Sequence, residues 1–519
     1  MKGAIAAGHP LTAQAGARVL EEGGNAVDAC IAAALVSWVA ESPLTGPGAG
    51  GFMLVHRARD GATDLLDFFV AAPGRGLAGG PAPMETVDVR FDRQTTQTFH
   101  IGAASCAVPG TVAGLAEAHR RYGSLPWSGL VAPAVRLARA GVVLSRQQAY
   151  LHAILDPVLR RDRDGRLIYG AGGPLGAGGR LVMADLAATL ERLAVEGAVA
   201  FYQGEVARRI SETILAGDGR ITEADLAEYR VVRRRPVRVP YRAAEFVSNP
   251  PPSAGGLLIA FALRVLDTLG RAGEEGSAEA TALLAEVMRE AARARAGSFA
   301  GRLRSGGANA RLLADPSVRA AAERALAVLG EPVLEAPGLP STTHVSVLDA
   351  AGNAASLSSS TGCGSGVVVP GTGIHLNNML GEPDLNPGGS PPAGRRLTSM
   401  MAPSMVLESG RPRLVLGSAG SERLRGAILQ VVVNVVAHGM SVEDAIAAPR
   451  VHLDGDTLHL EGGTAAKVAD RLTERGYELV RWPERNLFFG GVSAVARRLG
   501  GGLEAAGDPR RGGAGVVVP

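Results

Sequence analysis

The run Ser341-Thr342-Thr343-His344-Val345-Ser346-Val347-Leu348-Asp349 leaves the chain little choice but a β-strand. Its β-branched side chains suit a pleated surface better than a helix. Pro337-Gly338-Leu339-Pro340 precedes it, a lead that no regular element crosses. A tight turn over Asp349-Ala350-Ala351-Gly352-Asn353 follows, then a return strand, Ala354-Ala355-Ser356-Leu357-Ser358-Ser359-Ser360. A hairpin folded about residues 350–353 pairs Asp349 with Ala354 and puts Ser360 or Thr361 opposite Thr342. Two hydroxyls then meet at the open end of the hairpin, beside Gly362-Cys363-Gly364-Ser365-Gly366. On pattern alone this is either ordinary Thr-rich sheet or a nucleophile with a hydroxyl neighbour.

Composition narrows the classes. A chain of 519 residues, 46% apolar and 20% charged, is a globular protein with ample length to bury a core. A net charge of +3 gives no electrostatic case for nucleic-acid or membrane binding. Cys30, Cys106 and Cys363 are too few and too scattered for a disulfide or zinc framework. No 18-residue apolar run is present, and residues 26–40, interrupted by Asp28, read as a buried helix. The start, Met1 to Pro10, lacks the length and flanks of a secretory signal, so a cytoplasmic setting is expected.

Along the chain, residues 11–22 show helical spacing ending at Gly23-Gly24, and Asn25 caps a second helix through Trp38. The glycine-rich Thr45-Gly46-Pro47-Gly48-Ala49-Gly50-Gly51 leads into a strand. With no Gly-Lys-Ser/Thr and no helix opening on it, it is not a phosphate loop. Val108-Pro109-Gly110 opens a helix. Thr222 with Asp225 is a helix-capping pattern, and Arg233-Arg234-Arg235 reads as a solvated charge run. Asn249-Pro250-Pro251-Pro252 is a rigid turn before an apolar helix over 257–269. Residues 277–304 read as one helix and 305–340 as a polar, mobile tail; further helices are expected over 428–436 and 464–475.

Thr-Thr-His followed by Val-Ser-Val and an aspartate resembles the start of the small subunit of the γ-glutamyltransferases, N-terminal-nucleophile hydrolases that cut themselves before the first Thr. The likeness continues through Gly-Gly-Phe-Met at 50–53, Val108–Gly114, residues 131–141, Phe201-Tyr202-Gln203-Gly204, the triple proline, Asn377-Asn378 and a closing Asp508-Pro509-Arg510. It implies a mixed α/β protein, a four-layer αββα sandwich, cut between Ser341 and Thr342. The large subunit is then 1–341 and the small subunit 342–519, a heterodimer of the chain's own fragments. A Thr hydroxyl is a poor nucleophile near neutrality. The new α-amine of Thr342, with a pKa of about 7.7–8.0, would be its base.

The resemblance assigns further roles. Ser360 orients the amine or hydroxyl, and the N–H groups of Gly420 and Ser421, where relatives have Gly-Gly, form the oxyanion hole. Phe69 stands where relatives carry an arginine that grips the substrate's α-carboxylate, unless another arginine such as Arg75 replaces it. Met379 and Glu382 take the places of a glutamine and an aspartate that hold the α-amine, and Thr398-Ser399 those of a Ser-Ser pair on the carboxylate. No metal or organic cofactor is implied. The partner is a small-molecule substrate, with a non-standard acyl or amide compound favoured by Phe69. Biosynthetic C–C or amide hydrolysis of such a compound, as in antibiotic pathways, belongs to this reading; the alternatives are a genuine γ-glutamyltransferase or glutathione hydrolase, and an unprocessed, inactive homologue acting as a binding scaffold.

Overall fold

The computed structural model describes every residue except 91–95, 271, 298, 328–341, 383–390, 421–422 and 499. At its centre the hairpin forms as Thr343–Asp349 against Ala354–Ser360. Leu348 pairs with Ala354, one position from the expected register, and Thr343 with Ser359, which carries Thr342 opposite Ser360. Asp349 sets the turn: its Oδ1 accepts from Asn353 N at 2.9 Å, and its Oδ2 from Ala26 N at 3.0 Å.

Around the hairpin runs a seven-stranded antiparallel sheet, in the order Ala514–Val518, Gly3–Ala7, Thr343–Asp349, Ala354–Ser360, Gly50–His56, Thr63–Phe68, Val232–Arg234. A six-stranded antiparallel sheet lies against it, ordered Leu503–Gly507, Gly491–Arg497, Arg411–Ala419, Ser404–Glu408, Ala244–Ser248, Val237–Tyr241. Every residue of the two hairpin strands is buried, which a sheet covered on both faces requires.

Side-chain alternation divides the hairpin between two cores. Val345, Val347, Ala355 and Leu357 face a helical layer with Ala26–Ala40, a helix buried at all positions and capped by Asn25 with Asp28 reciprocating. Leu348 and Ala354 face the second sheet, in a cluster with Phe52, Phe69, Met379, Leu397 and Val415. A third core joins the second sheet to the helices Gly255–Leu269, Ala278–Arg295 and Arg423–Val436. Three cores separate four layers, helix–sheet–sheet–helix, as expected.

Three local expectations are corrected. Residues 305–327 are not a loose tail: they form Ala308–Leu312 and Asp315–Leu326, and Val318, Ala321, Ala322 and Ala325 dock into the third core. That i, i+3, i+4, i+7 stripe was legible, but the flanking Pro and Gly punctuation obscured it. The stretch 277–304 is two helices, Ala278–Arg295 and Phe299–Ser305. The arginine run at 233–235 is not merely solvated: Arg233 pairs with Asp64 at 2.9 Å, and Arg234 with the fully buried Asp67 at 2.7 Å. The 328–340 part of the tail lies outside the described residues.

Candidate active site

The open end of the hairpin lies at one edge of the space between the sheets. His344 and Ser346 point into that space, and alternation carries Thr342 to the same side. Ser346 Oγ donates to Ser493 O at 3.0 Å, so its oxygen accepts from His344 Nε2–H at 2.9 Å; Nδ1 then accepts from Ser358 Oγ at 2.8 Å. Burial pulls the His344 pKa down to about 3, so the ring is neutral and ties the two sheets together behind the site.

Burial likewise lowers His152 and His375 to about 4. Their folded values lie below the unfolded one, so the unfolded chain takes up protons first. The stability these rings contribute is complete above about pH 6.5 and falls as the pH drops towards 4, each ring costing up to about 1.4 kcal/mol per unit. Urea midpoints should therefore fall steadily between pH 6.5 and 4.5, and His375→Gln should flatten that slope.

Thr342, one residue before the first strand of the hairpin, is 5% exposed, and Ser360, the last residue of the second, 4% exposed. Ser360 Oγ accepts from Gly362 N at 2.9 Å, which fixes it at the strand end. The next strand pairs Gly50 with Ser360, and beyond it Phe69 and Val70 cross directly over Gly50. A Cβ on Gly50 would lie 2.7 Å from Val70 N, so only glycine permits this approach. Asn377 secures the neighbouring loops, donating from Nδ2 to Gly48 O at 2.8 Å and to Ala107 O at 2.9 Å. Asn378 N donates to Thr361 O at 3.1 Å.

On this flank stand the residues expected to hold substrate. Phe69 is 1% exposed and stacked on Phe52 at 5.4 Å. Met379 and Leu397 share its cluster. Thr398 and Ser399 are buried beside Leu397, and Ser399 Oγ accepts from Met401 N at 3.1 Å. Glu382 accepts from Asn378 Nδ2 at 3.3 Å. Arg75 is held by Glu228 at 2.8 Å, outside this cluster. The arginine that sequence reasoning missed is Arg396, which donates to the Phe69 carbonyl and to Tyr229 Oη (2.6 Å) and lies 3.3 Å from Asp67.

On the other flank of Thr342 opens a cleft lined by Thr342, Thr343, Gly8, Glu41, Ala419 and Arg511 among others. Glu41 ends the helix Ala26–Ala40 and is 5% exposed. Its Oε2 accepts from Thr343 Oγ1 at 2.5 Å and its Oε1 from Thr12 Oγ1 at 2.7 Å. Burial raises its pKa, opposed by the two hydroxyls and by the charge of Arg511. Nothing in the sequence marked Glu41, a lone acid after an apolar run. Ala419 ends its strand at the cleft, and Gly420 takes φ +134°, a region that disfavours side chains. Ser341 and Ser421 lie outside the described residues.

The chain matches the family model "Gamma-glutamyltranspeptidase" over residues 12–518. It is 35% identical to the Acylase ACY 1 proenzyme of a Pseudomonas species, covering 100% of this chain and 94% of the relative. With the glutathione hydrolase proenzyme of Pseudomonas aeruginosa it shares 34% identity, covering 99% and 94%. Among solved structures, cephalosporin acylase from Bacillus halodurans superposes with a TM-score of 0.84 at 26% identity, covering 99% and 95%. The Helicobacter pylori γ-glutamyltranspeptidase gives 0.53 at 29%, covering 61% of this chain and 89% of that one. With its four layers and this end-to-end likeness, the chain belongs to the γ-glutamyltranspeptidase family and is an enzyme of the hydrolase and acyltransferase class found there.

Proposed function

We propose that the protein is a self-processing N-terminal-threonine acylase that cuts itself between Ser341 and Thr342 and forms an acyl-enzyme on Thr342. The observation that carries this reading is the place of Thr342, one residue before the Thr343–Ser359 pair at the open end of the hairpin and in the lining of a cleft. Processing yields fragments 1–341 and 342–519, held together by the shared sheets. In turnover the Thr342 amine takes the hydroxyl proton as Oγ bonds to the substrate carbonyl carbon. The N–H groups of Gly420 and Ser421 stabilise the resulting oxyanion. Collapse breaks the bond to the leaving amine, which receives the proton from the ammonium. Water or an acceptor amine then attacks the ester in the reverse sense and restores Thr342.

The acyl pocket in this reading is the flank of Phe69, Met379, Thr398 and Ser399, with Glu382 at its rim. Its apolar lining favours an acyl group other than γ-glutamyl, and the relative named an acylase supports that choice. The reading as a glutathione hydrolase draws on the relative that bears that name. Kinetics separates them. Two charge-assisted contacts foregone, at about 1.5–3 kcal/mol each, should make γ-glutamyl-4-nitroanilide at least about a hundredfold poorer in kcat/KM than hexanoyl-4-nitroanilide. Phe69→Arg alone should not reverse the order. It buries a second guanidinium beside Arg396 among apolar side chains and should cost about 3 kcal/mol or more of stability, read as a fall in Tm. Processing itself is tested by denaturing mass spectrometry of freshly purified protein. Two fragments divided before Thr342 support the reading, and one chain stable on long incubation removes it.

A further inference from the structure

Arg396 takes no part in the chemistry proposed for Thr342, yet its side chain is only 10% exposed and reaches two segments distant in sequence. One terminal nitrogen donates to the Phe69 carbonyl and to Tyr229 Oη at 2.6 Å. The other donates to Arg230 O at 2.6 Å and to Asp67 O at 3.4 Å. Its Nε lies 3.3 Å from the Asp67 carboxylate, and the guanidinium carbon sits 4.8 Å from the centre of the Tyr229 ring. A planar fork of N–H groups can serve all of these at once.

These contacts converge on Phe69. Its carbonyl accepts from Arg396 and, at 2.7 Å, from the Tyr229 hydroxyl, while its N–H donates to Asp67 Oδ1 at 3.0 Å. Asp67 is itself held by Arg234 at 2.7 Å. Main-chain bonds join the neighbouring residues: Leu397 N donates to Val70 O at 3.1 Å and Ala72 N to Arg395 O at 2.8 Å. The chain that carries Arg396 therefore runs alongside residues 70–72, bridged at Ala71, immediately before Thr398 and Ser399. With both of its backbone polar groups pinned, Phe69 is fixed where its backbone crosses Gly50 and its ring stacks on Phe52.

We propose that Arg396 is a positioning residue for acyl specificity: it holds the Phe69 ring and the Thr398–Ser399 segment in fixed relation, and so sets the depth of the acyl pocket. The proposal rests on the reading of this flank as that pocket. In this role Arg396 does not touch the substrate and acts through Phe69. A pocket walled by an immobilised aromatic ring accepts an apolar chain up to one length and rejects the next carbons, because a close-packed interior does not stretch to fit. Lysine would keep a charge beside Asp67, but a single ammonium cannot serve the Phe69 carbonyl, Tyr229 and Arg230 together. The ligand class is accordingly an apolar acyl chain of bounded length.

The test is calorimetric titration of the purified protein with butanoate, hexanoate, octanoate and decanoate, which present the acyl half with no bond to cut. Affinity should rise to a maximum within the series and fall at least tenfold at the next longer acid. Arg396→Lys should reduce that fall to threefold or less. Should Arg396→Lys not fold, Tyr229→Phe, which removes only the hydroxyl bonded to Phe69, makes the same test and should at least halve the fall. In a Phe69→Leu protein the maximum should move, and adding Arg396→Lys should have no further effect, a silence that general loosening of the fold would not produce. Affinity that climbs without a maximum, no saturable binding, or a maximum unmoved by Phe69→Leu removes the acyl-pocket reading and the proposal with it. A maximum that Phe69→Leu moves but that Arg396→Lys and Tyr229→Phe leave unchanged, or an Arg396 effect that persists in Phe69→Leu, overturns the proposal alone. None of these results bears on the role of Thr342, which the fragment masses decide.

Discussion

The wild type should give two fragments and Thr342→Ala one intact 519-residue chain, with amide hydrolysis reduced by about a thousandfold or more. Alanine at this position removes the hydroxyl while changing little else. The site is 5% exposed at a strand end, and the ladder from Thr343 to Leu348 does not depend on it. The unfolding temperature should therefore stay within about 2 °C, a shift of under ~1 kcal/mol for a chain of this size. Thr342→Ser keeps an oxygen in place and should still cut, more slowly, because serine lacks the methyl that restricts χ1. A Thr342→Ala chain that still divides before residue 342 would place the processing nucleophile elsewhere.

The second large effect is on stability. Asp508 is 2% exposed, with Oδ2 accepting from Arg450 at 2.7 Å and from Val492 N at 2.9 Å, and Oδ1 from Arg510 N at 3.0 Å. Arg510 also pairs with the buried Glu461, so two arginines and two acids neutralise one another inside the protein. Burial alone would raise the Asp508 pKa, but Arg450 and Arg510 outweigh it and hold the carboxyl below its ordinary value. Asp508→Ala leaves both guanidinium groups in low dielectric with one carboxylate fewer, and should cost about 3–5 kcal/mol. Asp470→Ala is the control. Its pair with Arg481 is more than half exposed on both sides, and its loss should change stability by less than about 1 kcal/mol. Urea denaturation of the two variants side by side makes the comparison, and similar midpoints would mean that the buried network is not what joins residues 450, 461, 508 and 510.

The two predictions differ in how far the sequence could foresee them. Thr342 was legible because a strand, a turn and a return strand are local, and their register follows from counting residues; even so, the pairing came out one position away. The Asp508 network was not legible. Its members lie 58, 49 and 2 residues apart along the chain, and a lone Asp-Pro-Arg reads as a turn. Phe69 and Met379 were each noted, but that they pack in one cluster with Leu397 follows from two sheets stacking face to face. Glu41 had no sequence signal at all, since an acid after an apolar helix is ordinarily a solvated cap.

By itself, the sequence determined the elements whose causes are local: the Thr-rich hairpin, the Asn25-capped buried helix, the capping pair Thr222 and Asp225, and the apolar helices that cover the second sheet. Only the tertiary structure decided the difference between the packed apolar cluster around Phe69 and the cleft that opens at Thr342. The side chains that make that difference come from strands and loops distant in sequence, and only the order of strands in the two sheets brings Arg511 across Gly491 and Phe69 over Gly50.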